Sequence, residues 1–223
     1  MPTNKVKSKR RIKDHGEVFT PDFIVNDMLD LVKNETERIE SRFLEPACGD
    51  GNFLAPILER KLDVVKKKYK SSQVEFERNT LLATSSIYGV ELLQDNVSAC
   101  IERLYKIIDE MYSKLYRDKC NTDFRKSIRF VLNRNILQGN ALDLKTSDGK
   151  EYIVFSEWSP ANGSSIKRRD FRFQALSSFY EPGTLPLDSI KEVSDTGEEF
   201  FSPKPTKEFP LKHYLRLDYE DAK

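Results

Sequence analysis

A short acidic segment with two glycines carries the residues of this chain that are best suited to hold a ligand. Glu45 and Asp50 flank a turn in which Gly49 and Gly51 are separated by one residue. Such glycines allow a tight turn and a close approach of a ligand to the backbone, and a helix expected to begin near Asn52 offers unpaired N–H groups. Because carboxylates repel phosphate, a nucleotide-phosphate site is disfavoured. A cationic ligand that carries hydroxyl groups fits this segment better.

The same segment resembles a known motif. Residues 43–53 read Phe-Leu-Glu-Pro-Ala-Cys-Gly-Asp-Gly-Asn-Phe, which is similar to the cofactor loop of the adenine-specific DNA methyltransferases of restriction–modification systems. The alternative is an ordinary turn between a strand and a helix. The resemblance implies S-adenosylmethionine as cofactor, with two carboxylates near its methionine amino group and the loop backbone alongside it. The binding residues implied in this loop are Glu45, Pro46, Ala47, Gly49, Asp50, Gly51 and Phe53.

A second segment lies just upstream of the loop. Residues 16–21, Gly-Glu-Val-Phe-Thr-Pro, resemble the part of these methyltransferases in which an aromatic residue and a helix start close over the methionine end. The resemblance therefore adds Phe19, Thr20 and Pro21 to the cofactor site. The residues themselves predict a helix, with Thr20 as N-cap, Pro21 at the first helical position and an acid in the first turn.

A third feature is the acid that ends the second predicted strand. Residues 86–91 predict a strand that ends in Glu91. A carboxylate at that place can accept hydrogen bonds from both hydroxyls of a ribose, as in dinucleotide sites. The alternative is that Glu91 caps the helix that follows it. Leu92 would supply an apolar contact to one face of the adenine, where the family often has a branched aliphatic residue.

The fourth piece is the segment Gln138-Gly139-Asn140-Ala141-Leu142. In the family an Asp usually follows this glycine and accepts a hydrogen bond from the adenine amino group. Asn140 can still accept that bond, but it brings no charge, so we expect weaker cofactor binding. The resemblance assigns Asn140, Ala141 and Leu142 to the cofactor site, with Leu142 packing on the ring.

The chain departs from the family at the residues that grip the acceptor base. Family members end their fourth strand in Asn-Pro-Pro-Tyr or a close relative, which holds a flipped adenine, and no Asn-Pro-Pro occurs in the 223 residues. Here the fourth predicted strand, 152–158, includes Ser156, Glu157 and Trp158. One hypothesis is that Ser156 or Glu157 accepts a hydrogen bond from the exocyclic amine of the flipped adenine, while Trp158 stacks on the base. The other is that Trp158 is buried with its N–H satisfied.

The pattern of elements predicts an α/β fold. Short strands at 42–44, 86–91, 135–140 and 152–158 alternate with helices, which indicates a parallel sheet with helices on its faces. The helix from about 94 to 116 has an apolar stripe expected to pack on that sheet: Val97, Ile101, Leu104, Ile108, Met111 and Leu115. Beyond residue 180, five prolines predict an extended or disordered arm.

Composition places few limits on function. The net charge of +1 gives no argument for nucleic acid binding. The N-terminal basic residues and the cluster Lys167–Arg169 are either phosphate contacts or solvated charge. Three cysteines without metal-ligand spacing suit free thiols in a reducing cytoplasm, and two distant histidines suggest no metal site. No segment resembles a membrane span or a signal peptide, so we expect a cytoplasmic protein.

These observations together predict three regions: a basic arm at 1–13, a Rossmann-like methyltransferase domain at 14–178 and a proline-rich arm at 179–223. Because family members continue for three further strands, the sheet is expected to be truncated, with an open edge that a second subunit could cover. The leading hypothesis, implied by the resemblance, is an adenine-N6-specific DNA methyltransferase or modification subunit of a restriction–modification system, which binds S-adenosylmethionine and DNA. The alternatives are a catalytically degenerate cofactor-binding or regulatory subunit, and a methyltransferase for another acceptor.

Overall fold

The computed structural model describes residues 20–178, 189–193 and 199–219, and within them the chain is an α/β protein with mixed parallel and antiparallel sheets. The helices are α1 (Asp22–Asp30), α2 (Lys33–Thr36), α3 (Leu54–Tyr69), α4 (Gln73–Ser85), α5 (Gln94–Tyr116), a 3₁₀ turn (Arg117–Lys119), α6 (Thr122–Asn135) and α7 (Phe173–Ser178). The strands are β1 (Phe43–Glu45), β2 (Ile87–Glu91), β3 (Ile136–Asn140), β4 (Lys145–Thr146), β5 (Val154–Pro160), β6 (Ser165–Arg172), β7 (Ser189–Val193), β8 (Glu199–Pro203), β9 (Lys207–Glu208) and β10 (Lys212–His213).

The first sheet has the order β1-β2-β3-β4. β1, β2 and β3 run parallel, and β4 is antiparallel to β3. In this register Glu45 pairs with Gly89, and Glu91 pairs with Gln138. The carboxyl ends of the three parallel strands therefore meet at one edge, where the turns that follow them lie side by side.

Helices α3 to α6 form the main hydrophobic core on one face of this sheet. The predicted helices at 54–69 and 94–116 are confirmed, and Leu58, Leu62 and Leu104 are fully buried. The sequence analysis missed α4 and α6. Their N-caps were a readable signal, because Ser72 accepts from the N–H of Glu75 and Asn121 accepts from the N–H of Asp123.

The first strand and the helix before it differ from expectation. β1 begins at Phe43 and is not buried, since Leu44 is 44% exposed at the open edge of the sheet. A strand such as β1, which among the described residues has a neighbour on only one side, leaves part of its side chains in solvent.

Helix α1 ends at Asp30, its N-cap is Pro21, and no side chain caps it. In and just after this helix Leu29 is buried, whereas Phe23, Ile24, Met28 and Val32 are exposed.

The prediction of a fourth parallel strand was wrong. β5 pairs antiparallel with β6 along seven residues and belongs to a second sheet of order β10-β6-β5, with β9 also paired to β6. β6 itself spans eight residues. The second sheet contacts the first through aromatic packing, with the rings of Tyr88 and Phe155 edge to face at 5.3 Å. Hairpin pairing of neighbouring segments thus replaced the crossover that the alternating pattern suggested.

The end of the chain packs on the helices. Tyr214 and Leu217 are buried, and Tyr214 donates a hydrogen bond to the buried carboxylate of Glu77 at 2.7 Å. Tyr112 donates to the same carboxylate, and burial raises the pKa of both phenols. The described residues 203–219 are largely irregular, as expected, with the two-residue strands β9 and β10, but they pack on the rest of the chain and are not a free arm. Prolines limit strand length there, but they do not prevent packing.

A fully buried lysine joins the segment before β1 to the start of β2. The Lys61 ammonium donates to the carbonyl oxygens of Arg38, Ile39 and Ser41 at 3.0, 2.9 and 2.5 Å, and Ser86 Oγ lies at 2.9 Å. Burial lowers the pKa of this amine from its ordinary value of 10.5 to about 8. The buried charge is thus satisfied by hydrogen bonds at a cost in solvation.

This burial predicts a pH-dependent stability. Between about pH 8 and 10.5 the unfolded chain holds a proton on Lys61 that the folded chain has lost, so this group's contribution to stability rises with pH across that window. The wild type should gain up to about 3 kcal/mol of unfolding free energy relative to Lys61→Met. Urea unfolding of both proteins at several pH values measures the difference. A difference that stays constant with pH would contradict the assignment.

Candidate functional site

A cleft of about 650 Å³ opens at the carboxyl ends of the parallel strands. The turns after β1, β2 and β3 form its walls, as the meeting of these ends requires. It brings together most of the residues that the sequence singled out. The predicted site residues that line it are Thr20, Glu45, Pro46, Ala47, Gly49, Phe53, Glu91, Leu92, Asn140, Ala141 and Leu142.

The glycine loop is tightly held between the sheet and helix α5. Gly49 and Gly51 have φ angles of +52° and +88°, which side chains rarely adopt. The N–H of Cys48 donates to the carbonyl of Val90 at 3.0 Å, which ties the loop to β2. A Cβ on Gly51 would lie 2.9 Å from the Cys100 sulfur. The loop backbone therefore has a defined shape before any ligand binds.

Glu91 connects three elements at the floor of the cleft. Its carboxylate accepts from the N–H of Gly49 at 3.0 Å and from the N–H of Leu93 at 2.9 Å, and Asn96 Nδ2 lies at 3.4 Å. Glu91 thus accepts a hydrogen bond at the start of helix α5, as the capping alternative expected, and it also holds the glycine loop. A carboxylate has about four acceptor sites, which leaves capacity for a ligand hydroxyl.

Glu45 is a carboxylate without a compensating charge. Among the described residues its one hydrogen bond is a long contact, 3.4 Å, from the N–H of Ala47, and it forms no ion pair. Burial raises the pKa of Glu45. A cation of a ligand placed beside this side chain would relieve that cost, because an opposite charge favours the ionised form.

The opposite wall is apolar at its rim. Leu92 and Leu142 are exposed, with 49% and 95% of their surface accessible. The Oδ1 of Asn140 already accepts from the N–H of Leu142 at 3.0 Å, which leaves one lone pair and the amide Nδ2. Two exposed leucines and an amide in the same cleft lining suit a flat, partly polar ring.

Thr20 and Asn52 close one end of the cleft. Asn52 Nδ2 donates to the Thr20 carbonyl at 2.5 Å, which joins the segment before α1 to the glycine loop. The sequence analysis did not assign Asn52, although the loop motif contains it. The other lining residues it missed follow from the turns themselves and have no chemical signature of their own: Cys48, Leu93, Asn96 and Gly139.

Four predicted residues are not part of the lining. Asp50 forms an ion pair with Arg103 of α5 at 3.5 Å, outside the cleft. Pro21 and Gly51 belong to the adjoining backbone, and Phe19 lies outside the described residues. Arg103 lies 53 residues beyond Asp50 in the chain and carries no sequence signal that would reveal this pairing.

The acceptor residues proposed on β5 lie elsewhere. Trp158 is buried, and its Nε1 donates to Asn135 Oδ1 at 3.0 Å, as the buried-Trp hypothesis expected. Glu157 forms ion pairs with Arg42 and Arg169 at 2.5 and 2.6 Å, and Ser156 donates to Asp170 at 2.7 Å. None of the three lines the cleft, so the base-gripping hypothesis for them was wrong. Their antiparallel strand turns them away from the parallel edge.

The contact between the loop and helix α5 predicts a stability effect. Gly51→Ala should lower the unfolding free energy by about 2–4 kcal/mol, because it combines an unfavourable φ with a Cβ pressed against a buried sulfur. Gly163→Ala is the matched control: Gly163 also has a positive φ, of +63°, but no atom lies within 4 Å of an added Cβ. That variant should lose about 1 kcal/mol. Equal losses in thermal unfolding would contradict the close packing.

Comparisons do not add an identity to this geometry. No family model, curated protein or solved structure matches the chain. Within residues 20–178, 189–193 and 199–219, no three His, Cys, Asp or Glu side chains cluster as metal ligands would. No helix in the same residues is long and apolar enough to cross a membrane. The function must therefore be argued from the cleft.

Proposed function

We propose that the cleft binds S-adenosylmethionine. The observation that carries this proposal is Glu45, a half-buried carboxylate with no cation beside it in the described structure, placed next to a glycine loop. A phosphate would be repelled there, whereas an amino group and a sulfonium would neutralise the charge. Three parallel strands with an acid after the second are compatible with a Rossmann-like fold, which we propose for residues 14–178 with a truncated sheet.

The lining residues suggest how each part of the cofactor would be held. Glu45 would face the methionine amino end, near Thr20 and Phe53. Glu91 has acceptor capacity for ribose hydroxyls while it holds the loop. The rim with Asn140 and the exposed leucines would take the adenine. When bound, the cofactor supplies an electrophilic methyl group, and the contribution of the chain is to orient it and exclude water.

We further propose that the chain is a modification subunit of the adenine-N6 DNA methyltransferase type and that it acts with a second protein. The acceptor-gripping residues are absent, and no strand pairs with the outer edge of β1 among the described residues. Beside that edge lies an apolar groove of about 210 Å³, which includes Met28, Val32 and Leu44. The groove shares Glu45 and Phe53 with the cleft. A subunit seated there would border the reactive end of the cofactor.

The same observations support a second candidate. A chain that holds the cofactor without an acceptor pocket could serve as a non-catalytic subunit or a sensor of the cofactor. The burial of Trp158 and the ion pairs of Glu157 favour this version. Methylation of RNA or protein is a further alternative, since the missing motif is specific to adenine.

Calorimetry with S-adenosylmethionine tests the shared premise. The wild type should bind, and Glu45→Gln and Glu91→Gln should each weaken binding by about tenfold or more, through loss of a charge-assisted contact. Glu110→Gln, an exposed carboxylate on α5 paired with Lys106, is the control and should bind as the wild type does. Absence of binding by the wild type would remove the proposal.

Binding should also depend on pH. Because burial raises the pKa of Glu45 and the cationic ligand requires the ionised form, affinity should fall as the pH is lowered from 7 through that raised pKa. The Glu45→Gln variant should show a flatter pH profile. Equal profiles for the two proteins would show that Glu45 does not face the cation.

A labelled-methyl assay separates enzyme from binder. Incorporation of the labelled methyl group into DNA should require a partner chain encoded in the same operon, since this chain lacks the residues that grip the acceptor base. In the complex of the two chains, Glu91→Gln should reduce that incorporation. Incorporation by the isolated chain would refute both the partner requirement and the non-catalytic version. Binding of cofactor without incorporation in any complex would favour the sensor.

A further inference from the structure

The structure distinguishes two kinds of basic cluster. The cluster that the sequence singled out is neutralised: Lys167 pairs with Glu208 at 2.9 Å, and Arg168 pairs with Asp170 at 2.8 Å. Arg169 pairs with Glu157 at 2.6 Å. A phosphate would have to displace these carboxylates. The cluster Lys167–Arg169 is therefore a poor phosphate site.

A second cluster has no such partners in the part of the chain that the structure describes. It combines the C-terminal end of α3 with the end of α5 and the 3₁₀ turn. Two hydrogen bonds hold these ends together, from Tyr116 Oη to the Lys70 carbonyl at 3.1 Å and from Gln73 Nε2 to the Lys119 carbonyl at 2.9 Å. We name it the distal basic patch; its members are Lys66, Lys67, Lys68, Lys70, Lys114, Arg117 and Lys119.

The charge of the distal basic patch is uncompensated. None of its seven side chains forms an ion pair with a described residue, and all except the half-buried Lys66 are exposed. Asp118 is the single acid within segments 66–70 and 114–119. Unpaired like charges repel one another, so this arrangement favours an anionic partner.

Helix ends account for only part of this charge. Lysines in a last turn complement the helix dipole, which explains Lys66–Lys68 and Lys114, but the effect fades within that turn. Lys70, Arg117 and Lys119 lie beyond it. The patch also presents little apolar surface, since Val74 is the one exposed large apolar residue close to it in sequence. A polyphosphate fits this surface better than a lipid bilayer does.

We infer that the distal basic patch binds the sugar–phosphate backbone of duplex DNA. Helices α3 and α5 begin beside the cleft, at Phe53 and Leu93, and end at the patch. Their 16 and 23 residues span about 24 Å and about 35 Å. The patch is thus an anchor remote from the cofactor cleft and distinct from any acceptor pocket. The choice of DNA rests on the proposed function, whereas the anionic character of the partner rests on the charge.

Fluorescence anisotropy with a short labelled duplex tests this inference. The wild type should bind with a strong salt dependence between about 50 and 200 mM. The triple variant Lys67→Glu/Lys68→Glu/Lys70→Glu should bind at least about tenfold more weakly, and its log–log salt slope should be smaller by about 2–3. The corresponding lysine-to-glutamine triple should shift in the same direction, which guards against misfolding of the charge-reversed protein.

The control applies the same change of charge elsewhere. Lys150→Glu/Lys204→Glu/Arg216→Glu alters three exposed residues outside the patch and should retain most of the affinity. Losses as large as those of the patch variant would overturn the inference, as would no duplex binding by the wild type or preferential binding of duplex RNA. If the protein binds DNA through the patch but shows no calorimetric signal with S-adenosylmethionine, the inference about the patch is supported and the cofactor proposal is refuted.

Discussion

The bridge made by the Glu91 carboxylate is the interaction on which the arrangement of the cleft depends. It lies at the end of β2 and accepts from the backbone of the glycine loop on one side and from the start of α5 on the other. Since β2 is the middle of the three parallel strands, the bridge fixes both neighbouring turns relative to the sheet. A cleft built in this way has its shape before a ligand arrives, which reduces the ordering that binding requires.

Close backbone packing reinforces that bridge. A Cβ on Gly89 would lie 2.8 Å from the Cys48 sulfur, and a Cβ on Gly51 would lie 2.9 Å from the Cys100 sulfur. Two glycines and two small buried thiols therefore allow the strand, the loop and the helix to approach one another. A hydrogen bond with the Cys100 thiol, together with burial, raises the pKa of Cys48, which keeps this thiol protonated and unreactive. The cysteines of the site are packing residues.

The two halves of the sheet region differ in how complete they are. On the side of β2 and β3 the cleft has a floor at Glu91 and a rim at Leu92 and Leu142. On the side of β1 no further strand pairs among the described residues, and the exposed side chains of Met28, Val32 and Leu44 border a groove next to Glu45. The second sheet does not fill this gap, because β5 pairs with β6 and buries Trp158 against α6. The chain thus combines a walled cleft on one side with an exposed apolar border on the other.

The sequence by itself determined the local features: the glycine loop, the three short strands, the helices at 54–69 and 94–116, and the carboxylates and leucines that the cleft collects. These follow from residue type and spacing over a few positions, which periodicity and turn chemistry report directly. Only the tertiary structure decided that Asp50 pairs with Arg103, that β5 joins a hairpin sheet and that Tyr214 docks on Glu77. It also decided that the basic cluster at 167–169 is neutralised, while the distal basic patch has no ion-pair partner among the described residues. Each of these is a contact between residues far apart in the chain or a choice between pairings of similar local propensity, and such choices are settled by burial and charge in three dimensions.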